Sequence, residues 1–183
     1  MRCDPTCNNE LENGVPALEW SEEFVLNLPQ MDATHEEFVE LLADVEAASD
    51  HGLLPAWQAL VEHTDAHFGR EDQWMQQTRF AASNCHSTQH KVVLDIMKHG
   101  AVQCATGDLA MVRQMARELA VWFPQHAASM DAALAAHLHR VGFDTETGVI
   151  HSPQALPTAE IHGCAGPSCS SPEAEEETAA QAA

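Results

Sequence analysis

The chain has 183 residues, 45% of them hydrophobic, and a formal net charge of −20 from 28 acidic and 8 basic side chains. Length and apolar content suit one domain of ordinary size with tails, and the acidity excludes the basic surface that nucleic acid or an anionic membrane would require. No apolar run of about 18 residues predicts a transmembrane helix, and the start, MRCDPTCNNELENG, lacks the apolar core of a secretory signal. The expected location is therefore the cytoplasm, with the six cysteines reduced rather than built into a disulfide framework.

Residues 1–18 read as an irregular lead-in. The first helix begins near Pro29, since a first-turn residue needs no hydrogen-bonded N–H. It runs to about Ser49, with Phe38, Leu41, Leu42 and Val45 on its apolar face. SDHG ends it. The second begins at Pro55 and reaches about Gln77, with Trp57, Leu60, Val61, Phe68 and Met75 inward. FAASN breaks the pattern, and Ser83 or Asn84 can cap a third helix that extends to about Cys104 through Val93, Leu94 and Met97. ATGD combines a stop with a start: Gly107 can close one helix and Asp108 can cap the next. The fourth helix runs to about Arg140, about 50 Å at the usual rise. Pro124 lies inside it, where the missing N–H predicts a kink or a bulge. No run with strand periodicity appears. Long amphipathic helices with short connections predict an all-α fold, an up-down antiparallel four-helix bundle over residues 19–142. Beyond it the composition shifts to Pro, Ser, Ala and Glu, so residues 143–183 read as a flexible acidic tail.

Twelve histidines and no tyrosine are unusual, and histidine is the commonest metal-ligating side chain. HTDAHFGREDQWM places His67 and Glu71 one turn apart on the second helix, and CHSTQHK does the same for His86 and His90 on the third. WFPQHAASMD offers His126 and Asp131 on the fourth, and MDATHEEF offers His35 on the first. Each has a plainer reading alone: a satisfied core histidine, a helix-face pair, a polar surface. Together, on four successive helices, they can meet at one level of the core. Burying five imidazoles and two carboxylates there without a cation would leave costly unpaired polar groups. Two six-coordinate ions offer about twelve positions. Five imidazoles, two bridging carboxylates and a bridging oxo or hydroxo would leave one open, the number needed for one small molecule. These donors suit iron without excluding zinc or manganese. His63, one turn before His67, reads as a surface residue or a neighbour of the ligands.

The pattern resembles the hemerythrin family, and in particular its bacterial members, over roughly Trp20 to Arg140. It rests on His35 after MD, HFxxE at His67–Glu71, HxxxH at His86–His90 and HxxxxD at His126–Asp131. The resemblance implies a non-haem di-iron site with a bridging oxo or hydroxo. One Fe2+/Fe3+ ion would take His86, His90 and His126, the other His35 and His67 with the open position, and Glu71 and Asp131 would bridge. It also implies reversible O2 binding, as carrier, store or sensor. Where the family commonly reads WLxxHI, this chain reads Trp122, Phe123, Pro124, Gln125, His126, Ala127. By resemblance the leucine position lines the O2 pocket, which makes Phe123 its candidate here and implies a changed shape and water access. His126 and Asp131, five apart, would sit about 140° around a regular helix, and a bulge near Pro124 would adjust their aim.

Two other functions compete with O2 binding: a di-iron enzyme such as a peroxidase or oxidase, and an iron-handling protein. Enzymatic di-iron bundles use more carboxylates, often in Glu-x-x-His pairs, so five neutral imidazoles with two carboxylates favour reversible binding. Cys3/Cys7 and Cys164/Cys169, with His162 nearby, read either as incidental thiols or as a redox or metal-capture pair; Cys104 reads as a small packing residue.

Overall fold

The structure is a computed structural model that describes residues 18–80 and 85–159. Ser83, Asn84, Cys3, Cys7, Cys164, Cys169, His162 and the acidic end lie outside the described residues. The helices are α1 (Pro29–Ala47), α2 (Leu53–Gln77), α3 (Cys85–Ala105), α4 (Leu109–His126) and α5 (Ala132–Val141). A π-turn over Ala127–Asp131 joins α4 to α5, so the two form one interrupted rod. α1 packs on α2, α2 on α3, α3 on α4, and α1 also meets α4. The short connections make neighbours antiparallel, and the result is the four-helix bundle expected. Among the described residues the only bridge of strand type pairs Phe143 with Ile150, and no described helix is long and apolar enough to cross a membrane.

Each helix begins and ends for a local reason. Pro29 occupies the first turn of α1, and Asp32 accepts the Leu26 N–H at 2.7 Å, which pins the lead-in to that turn. Pro55 sits in the first turn of α2, which starts two residues earlier at Leu53. At its end Arg79 takes φ +59° and Phe80 N–H reaches back to the Met75 carbonyl, a Schellman closure without the customary glycine. α3 closes the same way: Gly107 has φ +102°, and Asp108 N–H donates to the Gln103 carbonyl at 3.0 Å. Asp108 then accepts from Met111 N–H at 3.2 Å to cap α4, so the ATGD reading holds.

Buried side chains on α1 recur at Met31, Thr34, His35, Phe38, Val39, Leu42 and Val45, the spacing of one helix face. On α2 the same face runs from Leu53 through Trp57, Leu60, Thr64, His67, Phe68, Glu71 and Trp74 to Met75. These residues form two apolar clusters. One holds Phe24, Phe38, Leu42, Trp57, Leu60, Met97, Leu119 and Phe123, with Cys104 as the expected packing thiol. The other holds Leu28, Met31, Trp74, Met75, Phe80, Leu134, Leu138, Val141 and Phe143. Each large apolar side chain so buried contributes about 1.5–3 kcal/mol. Trp57 Nε1 donates to the Met97 carbonyl at 2.9 Å and ties α2 to α3 within the first cluster.

One feature departs from the sequence reading. Residues 143–159 fold back on the bundle: Phe143 is buried in the second cluster, Asp144 accepts two backbone N–H groups in a turn, and Arg79 donates to the Pro157 carbonyl. Composition hid this, because the few apolar residues of the segment, Phe143, Val149, Ile150 and Leu156, show no helical or strand period among Thr, Ser, Pro and Gly.

Candidate metal centre

The seven proposed ligands come from all four rods and lie in the layer between the two apolar clusters. On α1, His35 falls between Met31 of one cluster and Phe38 of the other. On α2, His67 and Glu71 fall between Leu60 and Trp74. On the last rod, His126 and Asp131 fall between Phe123 and Leu134. α3 adds His86 and His90 near its start. All seven are buried.

The five imidazoles present Nε2 to the two carboxylates. Glu71 Oε2 lies 3.3 Å from His86 and 3.2 Å from His90, while its Oε1 lies 3.7 Å from His67. Asp131 Oδ1 lies 3.0 Å from His86 and 3.1 Å from His126, while its Oδ2 lies 3.2 Å from His35. Each carboxylate therefore turns one oxygen to His86, His90 and His126 and the other to His35 and His67. The donors fall into two groups that share both carboxylates: Glu71, His86, His90, His126 and Asp131, and His35, His67, Glu71 and Asp131, with ligand atoms within 4.8 Å of one another.

The π-turn makes the last pair possible. On a regular helix His126 and Asp131 would point about 140° apart; five residues of wider turn bring both into the layer. The turn begins three residues after Pro124, just beyond the expected position.

The electrostatics of the layer call for a cation. Both oxygens of Glu71, both of Asp131, and Nε2 of His35, His86, His90 and His126 are buried with no hydrogen-bond partner. Carboxylates and imidazole nitrogens that face one another in this way are costly without a cation, and they are what a metal requires. Without one, the histidines respond in opposite directions. Burial opposes a charged His86, but Asp131 and Glu71 overcome it and push its pKa up to about 10. Burial dominates at His67 and lowers it to about 4. Burial and the Asp131 charge push the Glu71 carboxyl upward, but the His67 charge and contacts from His86 and His90 hold it well below the usual range. Asp131 is likewise held low, against its burial, by His126, His35 and His86.

Aromatic rings close the layer. Phe123 is buried, edge-on to His35 at 5.2 Å and stacked on Phe38 at 4.6 Å, with Phe24 from the lead-in at 5.5 Å. Phe68 stacks on His90 at 3.9 Å, and Trp122 stacks on His126 at 4.4 Å. His63 stays outside: its Nε2 lies 3.1 Å from the Thr34 carbonyl and its ring 6.4 Å from His67. Spacing alone did not reveal Phe24 or two polar neighbours of the ligands, Asp72 and Gln89. Asp72 Oδ1 lies 3.1 Å from His90 Nδ1, and Gln89 Oε1 lies 3.4 Å from His126 Nδ1. Adjacency to Glu71 and His90 was the only signal for these two.

The fold and the site define a metal-binding four-helix bundle built on histidine and carboxylate donors. The description Hemerythrin HHE cation binding domain matches residues 27–138, and the chain belongs to the hemerythrin family. It is 35% identical over 130 residues to a protein of Ralstonia nicotianae named Bacteriohemerythrin, a match covering 71% of this chain and 95% of that protein. No solved structure matches the chain.

Proposed function

We propose that the protein binds O2 reversibly at a non-haem di-iron centre. The observation that carries this reading is the division of oxygens: Glu71 and Asp131 each serve both donor groups. His86, His90 and His126 would hold one iron, His35 and His67 the other, and the two carboxylates would bridge. When bound, such a pair supplies electrons to O2 and recovers them on release. The ligand set leaves fewer donors on the His35–His67 side, and Phe123 lies against His35 there, with Phe38 and Phe24 behind it. That apolar wall keeps water and protons from a bound small molecule. Two carboxylates against five neutral imidazoles also give less anionic support to high-valent iron than the carboxylate-rich sets of di-iron enzymes.

The test is iron content together with the optical spectrum of the reduced protein before air, after air and after removal of O2. Two irons per chain and a band that appears and disappears with O2 are expected. Steady consumption of O2 or peroxide would assign an enzyme instead, and one metal per chain would overturn the dinuclear reading.

A further inference from the structure

The outward nitrogens of the five ligand imidazoles are not treated alike. Nδ1 of His86 has no hydrogen-bond partner, and His35 meets only the neutral backbone of Phe24 beyond the carboxylates of the layer. Nδ1 of His126 faces a neutral amide, Gln89 Oε1, at 3.4 Å, which also accepts from Trp122 Nε1 at 3.3 Å. Among the described residues, only His90 has a carboxylate on its outward edge, Asp72 Oδ1 at 3.1 Å. Helix α2 grips that one ring on three sides. Glu71 Oε2 meets its Nε2 at 3.2 Å, Phe68 lies flat on its face at 3.9 Å and 6°, and Asp72 closes the far edge.

An acceptor on Nδ1 fixes the tautomer, so the proton sits outward and the Nε2 lone pair points into the site. A charged acceptor does more than a neutral one. It draws the N–H proton outward, raises the basicity of Nε2, and favours the higher charge on whatever that nitrogen binds.

We propose that Asp72 is a positioning residue that makes the His86–His90–His126 half of the centre the more electron-rich half, the one that favours the ferric state. The proposal rests on the di-iron reading above. Asp72 is 46% exposed on its side chain and belongs to neither apolar cluster, so its replacement leaves the core intact.

Asp72→Asn keeps an acceptor oxygen of the same shape and removes the charge. It is compared with wild type and with Gln89→Glu, which places a carboxylate on the outward edge of His126. Both irons are counted first, and the midpoint potential is then read by optical redox titration. Asp72→Asn is expected to retain two irons and lose about tenfold in the ferric-over-ferrous preference of one of them, an upward shift of roughly 59 mV for a one-electron couple. Gln89→Glu is expected to shift in the opposite direction. Unchanged potentials in a fully loaded Asp72→Asn protein would overturn the role of Asp72 and leave the di-iron reading standing. A wild-type chain that takes up no redox-active iron would overturn both.

Discussion

His86 touches both carboxylates, and this dictates how loading responds to pH. In the metal-free protein its pKa stands at about 10, above an ordinary value of 6.5, because Asp131 and Glu71 outweigh burial. The sign follows: its charged form stabilises the metal-free fold fully below about 6.5, and that contribution is lost as pH rises through 10. A ligating imidazole must be neutral, so metal and proton compete for the same nitrogen. Metal loading at pH 7 is expected to release at least about one proton per chain, and affinity to rise about tenfold per pH unit between 7 and 9. Calorimetry in buffers of different protonation heat reads the first effect; heats independent of buffer would count against it. Phe123 poses a different question at the same scale. Phe123→Leu opens space beside His35 while keeping the wall apolar, at a cost of about 1 kcal/mol in stability. Both O2 on-rate and autoxidation rate are expected to rise in stopped-flow mixing, with both irons retained. Glu71→Ala is the contrast, since it removes an oxygen from each half and should lower iron content itself. Unchanged rates in fully loaded Phe123→Leu would reduce that ring to helix packing.

At the scale of elements, what the sequence revealed depended on how local the cause was. The α3–α4 corner was legible because its signals sit in four adjacent residues: Gly107 takes φ +102° and Asp108 caps with its own side chain. The end of α2 at Gln77 was legible too, but its closing turn was not, because Arg79 adopts φ +59° where sequence statistics expect glycine, and a buried Phe80 contact holds it there. The π-turn lay between these cases. Ligands five apart demanded an irregularity and Pro124 suggested one, but its place at Ala127–Asp131 depends on packing around the layer. Asp72 and Gln89 were illegible because a half-exposed acid and amide beside a ligand read as surface until the neighbouring helix is in place. The α3–α4 corner also separates fold from site. An alanine at Gly107 is strained whatever the space around it, so Gly107→Ala should cost about 1–2 kcal/mol in chemical denaturation. Iron content should not change, because the proposed ligands of α3 and α4 lie at the other ends of those helices. Iron loss in this variant would show that the corner transmits strain into the layer.

For the whole molecule, the chain sets a polar layer between two apolar clusters, and helical periodicity exposed both at once. The face of α2 that begins with Leu53, Trp57 and Leu60 passes through His67 and Glu71 and ends with Trp74 and Met75. A continuous inward face interrupted by ionisable residues is hard to explain as anything but a site, which is why the candidate ligands and the core could be read together. The return of residues 143–159 could not, since it rests on a few contacts such as Phe143 with Ile150 and Arg79 with Pro157. The division of carboxylate oxygens has one more consequence. If the centre holds two ions, neither half can be filled as an isolated compartment: the first ion would fix Glu71 and Asp131, and their remaining oxygens would then already be aimed for the second. On the di-iron reading, loading is therefore expected to be cooperative, with the ordering entropy of two buried side chains spent on the first ion alone. Native mass spectrometry of apoprotein given one equivalent of ferrous iron should show mainly empty and doubly filled chains. A dominant singly filled population would mean that the halves load independently.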